Sequence, residues 1–335
     1  MSREVRSFYE DPLDRVWLTA AERMGLSIAR SSEVFASTDG RGRLTLGDPS
    51  TLDADDCLAQ MIFHELCHSL VQGPESFEQI DWGLDNESDR DLSREHGCLR
   101  AQAFLLSWYG LERVLAPTTD HRAFYDAIVE HPLEASERSV ELARIAAGRS
   151  ERFPWAPHLH DALRATSAIV HALPGAPAGS LWAERRPARR LHPAAPWPLH
   201  RDPALRCENC AWYSRGRCRQ AGARVRASAQ ACIRFESGTG VDCRRCGACC
   251  REAYHAVDVG PRERFVTRHP DLLVREDGRL GVRRAGERCA ALDGLGTDLA
   301  PYTCRVYEDR PRTCRELARA SDNCLDARRR VGLSL

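Results

Sequence analysis

The chain has 335 residues with 48 basic and 48 acidic side chains, so its formal charge is zero, and 43% of it is hydrophobic against 29% charged. That length supplies core for two domains, or one domain with added modules, and the zero balance removes the sequence-independent attraction to phosphate backbones on which general nucleic-acid binding rests. Every basic residue is arginine, which excludes a Walker-type phosphate lysine and a lysine Schiff base.

In chain order, the start Met1-Ser2-Arg3-Glu4-Val5-Arg6 has no apolar stretch behind its charges, and no later run approaches the roughly 18 apolar residues that span a bilayer. A cytoplasmic location with no membrane partner is expected. Residues 8–173 read as mainly helical, with a hairpin over 34–46 around Asp39-Gly40-Arg41-Gly42. A helix capped by Asp53 carries Cys57, Met61, His64 and His68 on one face and stops at Gly73-Pro74. Further helices are predicted over 90–109, from about Asp120, over 134–147 and over 157–173. Residues 174–203 are rich in Pro, Ala and Arg without apolar periodicity, which is linker chemistry. The histidines near that stretch, His158, His160, His171, His192 and His200, read as solvated, and the run Arg185-Arg186-Pro187-Ala188-Arg189-Arg190 reads as a soluble charge run. The expected class is α+β. It divides into a mainly helical domain over 1–173, the linker, a four-cysteine knuckle over 204–236 and a cysteine-cluster domain of irregular structure over 237–335.

The first chemical constellation is His64-Glu65-Leu66-Cys67-His68. Four residues bring both imidazoles to one helix face, where they can hold one metal ion, and Glu65 beside it is placed to act as a general base on metal-bound water. The third ligand is sought on the next helix. Glu95 is preferred, with His96 or Glu87 as alternatives. Cys57, Cys67 and Cys98 read as small buried hydrophobes.

The stretch from His64 to Ala103 resembles the small gluzincin-type metalloproteins, and within them the HExxH hydroxylase that modifies elongation factor P. The matching features are His64-Glu65-Leu66-x-His68, Gly73, Asp81-Trp82-Gly83, and Glu95 with Gln102-Ala103. The resemblance covers about 50 residues and implies iron held by His64, His68 and Glu95, with Asp81 as an orienting group. This chain departs from the family after Gly83, where Leu84-Asp85-Asn86-Glu87-Ser88-Asp89 replaces an aromatic-rich run, which places the substrate in question.

Of 15 cysteines, twelve fall between Cys207 and Cys324, and in a reducing compartment clustered thiols are metal ligands before they are disulfides. Cys207, Cys210, Cys218 and Cys232 form a knuckle that can close one zinc site or hold one iron–sulfur cluster, with Trp212 and Tyr213 packing over it. Cys243-Arg244-Arg245-Cys246-Gly247-Ala248-Cys249-Cys250 is followed by Cys289, Cys304, Cys314 and Cys324. Eight thiols exceed one tetrahedral site, so two mononuclear ions or one cluster with spare thiols are implied. Arg244, Arg245, Arg251, Arg305 and Arg315 are placed to offset thiolate charge. This set closely resembles the YkgJ-type cysteine-cluster family of zinc- or iron-chelating domains, on Cys243, Cys246, Gly247, Cys249, Cys250, Cys289, Cys304, Tyr307, Arg310, Pro311, Cys314 and Arg315.

No GxSxG elbow, dinucleotide fingerprint or P-loop is present. The combined expectation is an iron-dependent hydroxylase acting on a protein or peptide, with iron or zinc at the histidine site and zinc or an iron–sulfur cluster in the cysteine modules. The alternatives are a zinc metallopeptidase with structural zinc modules, and a non-enzymatic metal-chelating or sensing protein.

Overall fold

Asp11 starts the first helix, α1 (Pro12–Arg23): its carboxylate accepts from the amides of Leu13 and Asp14, and Pro12 occupies a position where a missing N–H costs nothing. In this computed structural model, which describes residues 6–335 except 86, 87 and 174, the chain forms two compact units, 1–189 and 190–335. Helices and small sheets are mixed, as in the α+β class. Among the described residues no helix is long and apolar enough to cross a membrane.

In the first unit α1 is followed by β1 (Ser27–Ser31), β2 (Ala36–Thr38) and β3 (Arg43–Gly47), in sheet order β1-β3-β2. The hairpin expected over 34–46 is the antiparallel β2–β3 pair. β1 joins β3 in parallel, a pairing that alternation along Ser-Ile-Ala-Arg-Ser is too weak to signal. Then come α2 (Leu58–Gln72), α3 (Leu92–Leu106), α4 (Arg122–Ile128), α5 (Arg138–Arg149) and α6 (His158–Ala172). The cap of α2 is Cys57 and not Asp53. The Cys57 thiol accepts from the Gln60 amide and the Gln60 side chain accepts from the Cys57 amide, a capping box built on sulfur, while the Asp53 amide is held by Asp56.

The core forms where α2, α3 and α5 pack on one another and α1 packs on α6. Large aromatic groups anchor it through their polar ends. The Trp17 indole donates to Thr166 and its ring meets Phe63, and the Trp155 indole donates to Ser69 on α2. Arg149 caps α2 from outside, donating to the carbonyls of Leu70 and Val71 at 2.7 Å each, which satisfies acceptors the helix end leaves open.

Much of the stretch expected to be linker is packed structure. The Arg186 amide donates to the Gly110 carbonyl, the Arg189 amide to that of Trp108, and the Arg186 guanidinium pairs with Glu130 through both of its terminal nitrogens. Gly110 has φ +72, and any Cβ there would overlap the Arg186 carbonyl, so the close approach needs glycine. Three of the histidines read as solvated are also partnered. His160 bonds Tyr109 and Ser150 and stacks on Trp108, His171 bonds Ser167, and His200 accepts from the Asp202 amide.

The second unit has short elements: β4 (Tyr213–Ser214), β5 (Arg217–Cys218), β6 (Ala223–Arg224), α7 (Cys243–Cys246), α8 (Arg264–Arg268), β7 (Leu273–Glu276), β8 (Arg279–Val282), β9 (Arg284–Ala285), β10 (Arg288–Cys289), β11 (Leu292–Asp293), β12 (Thr303–Cys304), α9 (Arg312–Glu316) and α10 (Asp322–Arg330). Its apolar groups include three small clusters: around Phe265, Leu272 and Val282, around Ala327 and Val331, and around Trp212 and Leu325.

Candidate metal centres

α2 carries His64 and His68 one turn apart, and α3 returns antiparallel to it with Glu95, Cys98 and Gln102. The two Nε2 atoms face each other at 3.1 Å, and Glu95 Oε2 lies 3.4 Å from His68 Nε2. An ion bonded at about 2.05 Å in tetrahedral geometry spaces its ligand atoms about 3.3 Å apart, close to the His64–His68 and His68–Glu95 separations. Glu95 Oε1 is buried without a hydrogen-bond partner. A chain of bonds sets the histidine tautomer. Gln102 Nε2 donates to the Leu115 carbonyl at 2.9 Å, which turns Gln102 Oε1 toward His64 Nδ1 at 3.0 Å. His64 Nδ1 therefore carries the proton and Nε2 presents its lone pair.

Burial opposes charge on both imidazoles, yet His64 is raised well above its ordinary range and His68 up to about 9. The largest raising influence on each is Cys98, followed by the Glu95 carboxylate and, at His64, by Glu65. Glu95 in turn is lowered, because His68 and His64 outweigh its own burial. The same field attracts a metal cation.

Glu65 is buried, and its Oε2 accepts from the Trp82 indole at 2.8 Å. Asp81 and Trp82 both take positive φ, 47° and 56°. This left-handed turn is held by β2: the Thr38 amide donates to Asp81 and the Trp82 amide to Thr38 Oγ1. The turn brings the indole, and not the Asp81 carboxylate, to the histidine helix. Asp81 serves the turn.

Of the candidates for third ligand, His96 stacks on Phe124 at 3.8 Å with its edge toward His121, and Glu87 lies outside the described residues. Cys98 is less inert than its reading as a buried hydrophobe suggests. Its Sγ is 4.0 Å from His64 Nδ1, and among the described residues His64, His68 and Cys98 form a group with ligand atoms all within 4.8 Å of one another. Its position three residues after Glu95 is the signal that could have shown it. A cleft of about 380 Å³ reaches His64 and Glu95 from solvent, bordered by Asp85, Asp89, Asp91, Asp120 and His121.

The knuckle cysteines occupy the turn before β4 (Cys207, Cys210), β5 (Cys218) and the segment after β6 (Cys232). Burial first, and then the neighbouring Cys210 and Cys218, push Cys207 up to about 11 and Cys232 up to about 12, so the four thiols stand within electrostatic reach of one another. His192, read from sequence as solvated, is 5% exposed and faces Cys207 Sγ at 3.4 Å through Nε2. Its Nδ1 accepts from the Ala194 amide at 3.1 Å, which places the proton on Nε2 as a donor to the sulfur. Nothing in the local sequence announces this pairing across fifteen residues.

In the second set, Asp242 caps α7, and Gly247 ends it at φ +58. A Cβ on Gly247 would sit 2.7 Å from the Tyr302 ring, so the CxxCG spacing needs glycine for both conformation and space. Cys249 and Cys250 follow in one tight turn with their sulfurs 3.9 Å apart. Cys249 is lowered to about 7 by its bond with Cys250, against burial and with help from Arg310. Arg310 lies 3.5 Å over the Tyr307 ring and donates to the Tyr307 carbonyl. The arginines acting on thiols are therefore Arg310, Arg319 on Cys243, Arg305 on Cys304 and Arg328 on Cys324. Of the five expected from sequence, Arg245, Arg251 and Arg315 instead pair with Asp298, Glu252 and Glu263.

Residues 242–330 match the CxxCxxCC family, described as a "putative zinc- or iron-chelating domain". The match supports metal binding by the cysteines of the C-terminal part. No curated protein and no solved structure matches the chain.

Proposed function

We propose that the chain is a metalloenzyme in which iron at His64, His68 and Glu95 hydroxylates a protein or peptide substrate, and the cysteine domain supplies the electrons. The observation that carries this reading is the 3.1 Å separation of the His64 and His68 Nε2 atoms with Glu95 Oε2 3.4 Å from His68, beside an open cleft that His64 and Glu95 line. Bound iron would activate O₂, and the overall reaction, R–H + O₂ + 2e⁻ + 2H⁺ → R–OH + H₂O, requires a reductant that a hydrolase does not. Gln102 orients His64, and Trp82 holds Glu65. That last bond speaks against a zinc peptidase, which needs a carboxylate free to take a proton from water: here one oxygen of a buried carboxylate is committed to an indole.

The test is anaerobic purification followed by elemental analysis, absorption and EPR spectra of the wild type, His64→Ala and Cys246→Ala. Iron that disappears with His64→Ala supports the reading, and zinc alone at every site refutes it. Glu65→Gln keeps an acceptor for Trp82, so metal content and reductant-dependent O₂ uptake are expected to persist. A peptidase would lose about 10²–10⁴-fold in rate.

A further inference from the structure

His192 stands outside the cysteine spacing, yet the backbone holds it against one of the knuckle thiols. It sits in a short pinned loop. The His192 amide donates to the Trp197 carbonyl at 2.8 Å, the Ala195 amide returns to the His192 carbonyl, and Leu191 bridges Pro198. Trp197 anchors this loop, buried and with the Arg234 guanidinium 4.6 Å from its ring. The returning arm pairs with the Cys232 segment, through the Leu199–Cys232 bridge and through the His200 amide on the Ala231 carbonyl. The Cys207 segment lies along the same stretch, its amide donating to the Ala229 carbonyl at 3.0 Å and the Leu205 carbonyl accepting from Ala231. Fastened in this way, the imidazole meets Cys207 as a built feature of the domain.

The far side of the ring decides what the near side can do. Nδ1 accepts from the Ala194 amide at 3.1 Å, so the proton is on Nε2, which lies 3.4 Å from Cys207 Sγ. In that tautomer Nε2 has no lone pair with which to ligate a metal or take the Cys207 proton. It donates to the sulfur. The thiol proton of Cys207 has its own acceptor, the Gln230 carbonyl at 3.8 Å. A neutral thiol is a weak acceptor, whereas a thiolate makes the bond charge-assisted and about twice as strong. An uncompensated anion is costly at a position as buried as Cys207, and a bound metal ion supplies the compensation.

A second buried donor lies at the same knuckle. Trp212 is 5% exposed and packs with Cys210 and Cys218, and its indole N–H has no acceptor among the described residues. Buried donors are nearly always bonded, and a metal-bound thiolate accepts far better than the thiol it replaces.

We propose that Cys207 ligates a metal ion in the knuckle, together with Cys210 of the same CxxC turn, and that His192 is the positioning residue that bonds the ligand sulfur from outside. This rests on the reading of the knuckle as a metal site. It adds a residue that lies outside both the cysteine spacing and the family match, which begins at 242. Binding exchanges the Cys207 proton, which leaves to buffer, for the metal, while His192 keeps its own. The bond fixes the Cys207 side chain and draws charge from its sulfur, which with iron in the site raises the reduction potential.

The test uses the full-length protein labelled with ¹⁵N at its 12 histidines, prepared metal-free under anaerobic conditions and loaded with ¹¹³Cd(II). Coupling to the Cys207 Hβ protons identifies the cadmium that Cys207 carries, and Cys207→Ser should remove that signal. The His192 proton is expected on Nε2 before and after loading, and coupled across the hydrogen bond to that cadmium. A direct ¹⁵N–¹¹³Cd coupling would make His192 a ligand and overturn the proposal, as would a proton on Nδ1. Cadmium on Cys207 without coupling to the His192 proton overturns the role of His192 and leaves the metal reading intact. Cadmium that binds elsewhere and not at Cys207 overturns both. His192→Phe keeps a ring but no donor, and should weaken cadmium binding at Cys207 by about 10- to 100-fold in chelator competition, with the His64 site unaffected. Because the couplings are read on the wild type, a variant that fails to fold does not decide the outcome.

Discussion

Gln102→Leu removes the bond chain that sets the His64 tautomer while keeping an apolar side chain of similar length in a position with no solvent exposure. Two buried groups then lose their partners: the His64 Nδ1–H and the Leu115 carbonyl, now bonded at 3.0 and 2.9 Å. An unsatisfied buried polar group costs about 1–3 kcal/mol, so the metal-free variant should be destabilised by about 2–5 kcal/mol. Freed of its acceptor, His64 can place its proton on Nε2, the atom that faces His68. Loss of such an outer bond lowers metal affinity by about 10- to 100-fold. Urea unfolding of the metal-free protein measures the first effect, and competition against a chromophoric chelator measures the second, with His64→Ala as the reference for loss of the site. A folded Gln102→Leu variant that binds metal at the histidine site as tightly as the wild type would refute the reasoning.

Arg149→Met leaves the Leu70 and Val71 carbonyls without their charged donor and should cost about 2–4 kcal/mol, read as a lower urea midpoint for the first unit. Gly247→Ala forces a left-handed alanine against the Tyr302 ring. It should destabilise the cysteine domain by about 1–3 kcal/mol and reduce metal bound per chain, while His64-dependent metal is retained. Chelation of the second unit's metal should make its backbone susceptible to limited proteolysis, because apolar clusters of four to six buried residues cannot hold a domain without metal. Residues 6–189 should remain resistant.

The helical frame of the first unit was legible because its apolar periodicity is strong. α2, α3, α5 and α6 lie close to the stretches that the pattern marked. Caps and contacts were less so. Asp53 satisfies the usual preference for an N-cap, yet Cys57 performs the function because the next residues position its sulfur over the Gln60 amide. The segment 175–189 reads as linker by composition, but its backbone amides find acceptors at Trp108 and Gly110, and composition carries no information about such pairings. The family pattern over 242–330 was equally legible, because ligand spacing is a local property of the chain.

What the sequence determined by itself is which residues can do chemistry: two imidazoles at helical spacing, a carboxylate on the following helix, and twelve clustered thiols. Only the tertiary structure decided what each of them faces. It turned Glu95 rather than His96 toward His68, put Trp82 rather than Asp81 on Glu65, buried His192 against Cys207 and replaced several expected arginines with Arg310, Arg319 and Arg328. The physical reason is the same in each case. Residue type sets the donors and acceptors available, whereas which pair meets depends on backbone turns and packing between segments far apart in the chain.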